Sequence, residues 1–422
     1  MPFGFYNGEL LSRGNLWSDV HALAKRLPNR PYLFNLCENR YLFCVCLLAA
    51  AARRQICLLP PSGQMAVIDE ILHDYPGAYL AAEKPQTSRA EYFEVKIPDS
   101  RGILRPPDFD WDGPMLIAFT SGSTGKPKPC PHSLRTFAIS ADMAVRALGV
   151  SGQRRLMVST TPPQHMYGLE TSVFWPLFSQ LMLYDGRPFF PEDIRQAIAA
   201  APYPAMLVTT PTHLRSLVKA EGDWHNLAGV ISATDALPDR LADETAAILG
   251  QSPSEIYGST ETLSFACRAS RQDQPWRPYP GARLIRDPSG QVRLESPHLP
   301  SPQPLQDSID IATDGGFEVL GRHEDMIKIG GKRASLSELN RRLKDIEGVE
   351  DGFCFLRQDG RLAAVVVGRL DKQAIRQGLQ AYLDEAFLPR QVHFVDTIPR
   401  NEAGKLTKTS REKLLAELTE AV

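Results

Sequence analysis

The stretch that decides the fold reads Thr120-Ser-Gly-Ser-Thr-Gly-Lys-Pro-Lys128 and directly follows a short apolar run, Met115 to Phe119. The apolar run is typical of a buried strand, so the polar loop is expected at the end of a sheet. Its glycines allow close approach of the backbone, and its N–H groups, hydroxyls and ammonium groups suit an anion. The segment therefore predicts a phosphate-binding loop.

A Walker A loop, Gly-x4-Gly-Lys-Ser/Thr, is the first alternative. Thr120 stands where that motif begins with glycine, and Pro127 follows Lys126 where a hydroxyl would bind the metal. Proline also fits badly inside the helix that a P-loop begins. A P-loop kinase is therefore disfavoured, and a flexible surface turn rich in serine and glycine remains the bland alternative.

Composition is ordinary for a soluble globular protein, and the net charge gives no argument for nucleic acid or an anionic membrane as a partner. The 422 residues are 43% apolar and 23% charged, and the net charge is −2. This length is enough for two or three domains. The first 20 residues lack the pattern of a signal peptide, and the longest apolar run, Tyr41 to Ala52, predicts a buried helix rather than a membrane span. Seven scattered cysteines without zinc spacing favour reduced thiols in a cytoplasmic protein.

Strand-like and helix-like segments alternate through the first three quarters of the chain, which predicts an α/β architecture with a largely parallel sheet. The predicted strands are 30–34, 55–59, 115–119, 156–159, 205–209, 229–232 and 255–257, and the predicted helices are 135–148, 191–200, 211–220 and 236–249. The stretch from Pro297 to Asp307, rich in proline and polar residues, is interpreted as a loop.

The character of the sequence changes around Gly321, which predicts a second, smaller unit. We expect an N-terminal domain over residues 1–321, a hinge over 322–326 and an α+β lid domain over 327–422. The predicted elements of the lid are helices over 335–346 and 372–385 and strands over 352–357, 361–367 and 391–395. A ligand between two such domains is a frequent arrangement in enzymes that move during turnover.

Four further segments carry candidate chemistry: Tyr257-Gly-Ser-Thr-Glu-Thr262, Asp310 before Asp314-Gly-Gly316, Pro163-Gln-His165-Met-Tyr-Gly168, and Pro399-Arg-Asn-Glu-Ala-Gly404-Lys405. An aromatic ring beside a phosphate site could stack on a purine, and a carboxylate there could hold Mg²⁺. Taken singly, Asp310 is equally well a solvated aspartate, His165 a structural histidine and Lys405 a surface lysine.

Together and in this order, the segments resemble the acyl-adenylate-forming superfamily, which comprises acyl- and aryl-CoA ligases, adenylation domains of peptide synthetases and luciferases. The resemblance runs from about residue 30 to 415 and includes a Gly-Arg hinge and the Gly330-Gly331 loop. It implies a large N-terminal domain with two sheet-bearing subdomains and a small mobile C-terminal domain.

The resemblance also implies roles by position. Thr120, Ser121, Gly122, Ser123, Thr124, Gly125, Lys126 and Lys128 would hold the β,γ-phosphates of ATP. In the second motif, Tyr257, with Gly258 and Ser259, would bind adenine, Thr260 would contact the α-phosphate and Glu261 would bind Mg²⁺. Asp310 and Arg322 would hold the ribose, Glu324 falls in the hinge, Gly330 and Gly331 would approach the thiol, and Lys405 would be the catalytic lysine.

The acid pocket is expected between His165, Tyr167, the segment Ser232-Ala-Thr234-Asp235 and the strand end at Tyr257. Thr234 and Asp235 replace the small residues usual in the superfamily, so a raised pocket floor and a preference for aryl or shorter acyl acids are expected. The aspartate that recognises amino groups in adenylation domains has no counterpart, which disfavours amino acids. Lys128 is followed by Pro129 where the superfamily usually has glycine, so a stiffer loop exit is expected.

The interpretation is an ATP- and Mg²⁺-dependent acid–thiol ligase that forms acyl-AMP and then a thioester on CoA or on a carrier-protein phosphopantetheine. A nucleotide-binding regulatory homologue without turnover is the alternative from another class. The joint presence of Lys405, Glu261 and Asp310 argues against it, because a protein without turnover has no chemical need for all three.

Overall fold

The computed structural model describes residues 1–85, 90–98, 102–121, 127–220, 222–270, 274–322, 326–329, 332–357, 359–380, 382–401 and 406–420. The strands are β1 (Pro2–Tyr6), β2 (Glu9–Ser12), β3 (Tyr32–Asn35), β4 (Ile56–Leu59), β5 (Tyr79–Ala82), β6 (Tyr92–Glu94), β7 (Pro114–Ser121), β8 (Pro127–Ser133), β9 (Leu156–Ser159), β10 (Met182–Leu183), β11 (Ala205–Thr209), β12 (Leu227–Ser232), β13 (Pro253–Ser259), β14 (Leu263–Ala269), β15 (Arg277–Pro278), β16 (Arg283–Arg286), β17 (Val292–Glu295), β18 (Gln303–Pro304), β19 (Asp307–Ile311), β20 (Phe317–Arg322), β21 (Met326–Ile329), β22 (Lys332–Ser335), β23 (Val349–Leu356), β24 (Leu362–Gly368) and β25 (Gln391–Phe394).

The α-helices are α1 (Arg13–Ala24), α2 (Arg40–Ala52), α3 (Met65–Asp74), α4 (Leu134–Ala147), α5 (Met166–Leu169), α6 (Trp175–Phe178), α7 (Pro191–Ala199), α8 (Pro211–Leu217), α9 (Asp239–Leu249), α10 (Leu336–Asp345), α11 (Lys372–Gln380) and α12 (Lys408–Glu420). A π-helical turn, Glu170–Phe174, joins α5 to α6, and a 3₁₀ turn spans Glu385–Phe387.

Two large sheets carry the N-terminal part of the chain, which confirms the predicted α/β class. One sheet has the order β6-β5-β3-β4-β7-β8, and the other has the order β15-β14-β13-β12-β11-β9-β10-β1-β2. Their central strands pair in parallel. Toward one side of each sheet the pairing is antiparallel, with β8 beside β7 and β14 beside β13. The sequence patterns located the central strands because these are short apolar runs buried on both faces.

The apolar run interpreted as a buried helix forms α2, and all of its residues except Ala52 are buried. The Asn39 side chain accepts the N–H of Leu42 at 3.1 Å and caps the helix start. The next residue, Arg40, is buried and donates to the carbonyl oxygens of residues 159, 161, 184 and 186, which belong to the second sheet and the segment after it. The guanidinium therefore joins the two sheet-bearing parts.

A third unit follows β20, with β23, β24 and β25 packed against α10 and α11. Its apolar clusters contain residues from 327 to 418, and within the described ranges they share no member with the clusters of the earlier sheets. The predicted helix over 372–385 ends earlier, at Gln380. All seven cysteines are free and are buried or half-buried, as expected of small core residues.

Candidate active site

The predicted phosphate loop connects two antiparallel strands at one end of the six-stranded sheet. Thr120 and Ser121 are the last residues of β7, and Thr120 pairs with Lys128 on β8. Thr120 is half-buried and Lys128 is exposed. The loop residues Gly122, Ser123, Thr124, Gly125 and Lys126 lie outside the described residues. The structure therefore shows the base of the loop as a strand hairpin rather than the strand-to-helix turn of a P-loop.

Prolines at every second position explain how the loop exit can be a strand. Pro127, Pro129 and Pro131 pair with Ser121, Phe119 and Ile117 of β7. Within the described residues β8 is the edge of its sheet. Proline has no N–H to donate, and alternate residues of an edge strand direct their N–H groups away from the neighbouring strand. The prolines thus occupy the positions that need no donor, and they restrict the backbone at the loop exit.

The segment over 257–262 forms the turn between β13 and β14. Gly258 lies at an irregularity of this hairpin, and a Cβ there would lie 2.0 Å from the carbonyl oxygen of Leu263. Ser259 and Thr262 bind each other, with the Ser259 N–H donating to the Thr262 hydroxyl at 3.0 Å. Thr260 and Glu261 lie at the tip of the turn and are half-buried. Only glycine fits at position 258, and the turn, which we call the adenylate loop (residues 257–262), carries Thr260 and Glu261 at its tip.

The adenylate loop is attached to β8. The Cys130 thiol donates to the carbonyl oxygen of Thr260 at 3.7 Å and lies 3.4 Å from His132 Nε2. Burial lowers the pKa of His132 to about 4, so this imidazole is neutral, and its hydrogen bond to the Thr260 backbone opposes the shift only in part. Burial likewise raises the pKa of Cys130 to about 11; nearby Glu261 adds to the increase and Lys128 reduces it. Lys128, a cation suited to phosphate, and Glu261, a carboxylate suited to Mg²⁺, thus both lie near Cys130 of β8.

A carboxylate that the sequence interpretation missed lies at Tyr257. The Tyr257 hydroxyl donates to Asp307 Oδ2, and Asp307 is opposite Arg322 in the pairing of β19 with β20. By contrast, Asp310 is exposed and lies opposite Glu318. Asp307, not Asp310, is therefore the acidic residue of this strand that contacts Tyr257. Asp307 was missed because it closes a proline-rich stretch interpreted as a loop, and only the strand register shows its neighbours.

Tyr257 is also held through its ring. The ring lies 5.3 Å from Phe265 in an edge-on arrangement, 5.2 Å from Trp276 and 5.7 Å from Phe317, measured between centroids. These contacts restrict the orientation of Tyr257 before any ligand binds.

The predicted acid-pocket residues lie at or near the carboxyl ends of parallel strands. His165 accepts the N–H of Tyr167 and caps α5. The Tyr167 hydroxyl lies 3.0 Å and 2.9 Å from the carbonyl oxygens of Thr209 and Ile231, so it is engaged by the backbone. The hydroxyl of buried Ser232 finds no hydrogen-bond partner among the described residues. The assignment of this group to acid binding stays a prediction.

Two neighbours at the end of β12 depart from the expected pocket floor. Thr234 has φ = +81°, a region that a β-branched residue adopts only under strain. The Asp235 carboxylate accepts a hydrogen bond from Lys344 of α10 at 2.6 Å. Asp235 therefore faces the C-terminal unit in this structure through an ion pair, and the assignment of both residues to acid binding stays a prediction.

Glu170 is a second residue that the sequence interpretation left out of the site. It begins the π-helical turn after α5, is 4% exposed, and accepts both the N–H (2.9 Å) and the hydroxyl (2.8 Å) of Ser264. Burial raises the pKa of its carboxyl to about 7, and the Ser264 donors oppose that shift. The contact connects the helix of His165 to the strand that leaves the adenylate loop. In the sequence, the only indication that Glu170 makes such a contact is that it is an acidic residue within an apolar run.

The remaining predicted positions lie outside what the structure describes. These are the Arg322 side chain, Glu324, Gly330, Gly331 and Lys405. Among the described residues there is no cluster of three or more histidine, cysteine, aspartate or glutamate side chains placed for a metal ion. Nor does any described helix combine the length and apolar character needed to cross a bilayer.

Comparison with known proteins decides the family, because residues 30–292 match the AMP-binding enzyme family. The chain belongs to the AMP-binding enzyme family. The indoleacetate–CoA ligase of Aromatoleum aromaticum (strain DSM 19018 / LMG 30748 / EbN1) is 26% identical over 81% of this chain and 75% of its own length. A 4-coumarate–CoA ligase of Cereibacter sphaeroides is 27% identical over 68% of this chain and 69% of its own.

The fold agrees with this assignment. The crystal structure of ATP-bound MatB from Rhodopseudomonas palustris matches with a TM-score of 0.82 at 19% identity, covering 97% of this chain and 94% of that one. The predicted resemblance to the acyl-adenylate-forming superfamily and the predicted fold class are therefore confirmed.

Proposed function

We propose that this AMP-binding enzyme is an ATP-dependent acid–thiol ligase, which converts a carboxylic acid to acyl-AMP with release of pyrophosphate and then to a thioester. The observation that carries the proposal is the meeting of three parts that come from different sheets. These are the base of the phosphate loop on β8, the adenylate loop hydrogen-bonded to it, and the Tyr257–Asp307 pair. The matching relatives named as CoA ligases support the same activity.

Each part has a role that follows from its chemistry. The segment from Thr120 to Lys128 receives the β,γ-phosphates, and Thr260 contacts the α-phosphate. Tyr257 stacks on adenine, and we assign the ribose hydroxyls to Asp307 with Arg322 in place of Asp310. Attack of a carboxylate on the α-phosphate builds negative charge on a polyanion, so fixed cations and N–H donors stabilise the transition state.

Glu261 is our candidate for holding Mg²⁺. It is a half-buried carboxylate at the tip of the adenylate loop, near Lys128, and carboxylate oxygens together with phosphate oxygens are the ligands that Mg²⁺ prefers. When bound, the ion would neutralise phosphate charge. Lys405 is the proposed catalytic lysine, which bridges the acid carboxylate and the α-phosphate.

We also propose a role for each of the three segments of the chain. Residues 1–321 bind nucleotide and acid, 322–326 form the hinge, and 327–422 form the mobile lid. Gly330 and Gly331 approach the thiol during thioester formation, after the lid has rotated and withdrawn Lys405. The closed site excludes water from the hydrolysis-prone mixed anhydride.

For the substrates, we propose an aryl acid or a short to medium acyl acid and CoA as the thiol, with a carrier-protein phosphopantetheine as the second candidate. The names of the two matched ligases, indoleacetate–CoA ligase and 4-coumarate–CoA ligase, support aryl acids and CoA. The threonine at position 234, where the superfamily usually has a small residue, supports a short pocket. Pyrophosphate exchange with benzoate-type acids, octanoate and palmitate tests this choice, and palmitate as much the best acid would contradict it.

Acid-dependent exchange of pyrophosphate into ATP tests the activity, and a pair of variants tests the site. Asp307→Asn should raise the KM for ATP at least about 10-fold, the scale for losing one charged hydrogen bond. Asp310→Asn, three residues along the same strand, should leave it unchanged. Tyr257→Phe keeps the Asp307 carboxylate and removes only the hydroxyl that donates to it, so it separates the contribution of the hydroxyl from that of the carboxylate. A protein that binds ATP but shows no exchange with any acid would instead be a regulatory homologue.

A further inference from the structure

One carboxylate connects the sheet end of the active site to the C-terminal unit. Asp235 follows β12, whose Ser232 pairs with Glu255 on β13, the strand that leads into the adenylate loop. Lys344 of α10 reaches Asp235 Oδ2 at 2.6 Å, with the lysine side chain 7% exposed and the aspartate 35% exposed. A nearly buried ammonium needs a partner, because removing its counter-charge leaves an uncompensated charge away from water.

A second cation from the C-terminal unit meets the same carboxylate. Arg400 forms a two-point hydrogen bond with Asp351, with Nε to Oδ2 and Nη2 to Oδ1 both at 2.8 Å. Its other nitrogen, Nη1, lies 3.9 Å from Asp235 Oδ2, and the arginine side chain is 10% exposed. Burial acts to raise the pKa of Asp235, but Lys344, Arg400 and Arg215 lower it overall, so the carboxyl is ionised. Asp235 therefore joins Lys344 and the Arg400–Asp351 pair to the N-terminal part.

We propose that Asp235 is a positioning residue for acyl-AMP formation, which docks the C-terminal unit through Lys344 and Arg400 and so keeps the segment of Lys405 at the adenylate loop. The inference rests on the proposed function. Asp235 acts through the chain that carries the catalytic lysine and need not touch the acid itself.

The chain between Arg400 and Lys405 is short, so the contact of Arg400 with Asp235 can restrict the position of Lys405. Lys405 follows Arg400 by five residues, a span of at most about 17 Å when fully extended. Asp235 and the adenylate loop lie at the ends of neighbouring strands, and such strands are about 4.8 Å apart. With Arg400 held at Asp235, the chain keeps Lys405 within about 17 Å of Arg400. Without that anchor, the lid can carry the lysine away.

Among the described residues, half-buried Arg215 of α8 also lies near Asp351 and Asp235 and adds attraction to the same charge cluster, whereas the remaining charged contacts between these parts are weaker or repulsive. Lys219 and Glu350 form an ion pair at 3.1 Å, but both side chains are more than half exposed and such pairs contribute little. The pKa of Asp345, on α10, is raised to about 6 mainly by burial, and Asp239 of α9 adds to the increase. One largely buried charge cluster around Asp235, beside a like-charge contact, suits a docked state that must also open.

The test separates the two half-reactions. We expect Asp235→Asn to reduce pyrophosphate exchange about 10- to 100-fold, less than for a fully buried charge pair because the aspartate is 35% exposed. Thioester formation from supplied acyl-AMP should stay within about two-fold of the wild type, because that step uses the other lid position. Lys344→Met, which removes the other partner of the contact, should likewise reduce pyrophosphate exchange and spare thioester formation. Agreement between the two variants excludes a folding defect that is particular to one of them. Glu350→Gln removes the exposed pair and serves as the matched control.

Three outcomes would overturn the proposal. Equal loss in both half-reactions would show a general structural role, and unchanged exchange would show that the contact does not position the lysine. A change in the preferred acid without a half-reaction split would return Asp235 to the acid pocket. Absence of exchange in the wild-type enzyme is a separate result, because it would contradict the proposed function itself.

Discussion

Replacement of Glu170 by glutamine tests whether a buried, ionisable carboxyl connects the two halves of the site. The side chain is 4% exposed and has two donors, both from Ser264. Among the described residues no cation pairs with this carboxyl. Glutamine has nearly the same shape and retains one oxygen that can accept from Ser264, but it cannot ionise. The substitution therefore removes the titration while it keeps most of the packing.

The size of the effect follows from the pKa. Burial raises the pKa of Glu170 from 4.5 to about 7. Because the folded state binds the proton more tightly, the stability from this group is complete below pH 4.5 and is lost as the pH rises through 7. The full difference is about 3 kcal/mol, of which about 2.5 kcal/mol falls between pH 5 and pH 8. The wild type should lose that much more stability over this interval than Glu170→Gln.

Urea unfolding at pH 5 and pH 8, followed by tryptophan fluorescence, measures this difference. Other titrating groups contribute equally to both proteins and cancel in the comparison. Glu318→Gln, at an exposed position, controls for loss of one negative charge and should follow the wild type. Equal pH dependence for the wild type and Glu170→Gln would refute the reasoning, because it would mean that the folded state does not raise this pKa.

Three other substitutions test the site and the scaffold. Lys405→Ala should reduce acyl-AMP formation on the order of 10²–10³-fold and spare thioester formation from supplied acyl-AMP; equal loss in both assays would contradict its role. Gly258→Ala places a Cβ 2.0 Å from the Leu263 carbonyl oxygen and should raise the KM for ATP at least about 10-fold, whereas Gly63→Ala meets no atom within 4 Å and should be silent. Arg40→Met removes the guanidinium from four carbonyl oxygens, of which that of Thr161 keeps the Ser159 hydroxyl, and should lower the free energy of unfolding by about 3–5 kcal/mol in urea; a change below about 1 kcal/mol would show that water replaces the guanidinium.

Local pattern was enough to predict the class of fold and the order of the motifs. Leu156–Ser159 and Ala205–Thr209 were located to the residue, because a short apolar run buried on both faces has no other stable place. The helix over Arg40–Ala52 followed from its length and apolar character. The phosphate loop, the adenylate loop and the lysine-bearing C-terminal segment could be recognised because each keeps its chemistry within a few consecutive residues.

Local sequence pattern could not predict contacts between residues that are distant along the chain, because such contacts depend on strand register and on packing between units. Asp307 and Asp310 look alike in the sequence, and only the pairing of β19 with β20 places the first at Tyr257 and the second opposite Glu318. Asp235 looked like a pocket residue because its neighbours along the chain suggest one, but an ammonium 109 residues later gives it an ion pair. The sequence by itself thus determined which chemical groups are available and on which elements they lie. The tertiary structure decided which of those groups meet, because charges and hydrogen bonds act over a few ångströms in space, whatever their separation along the chain.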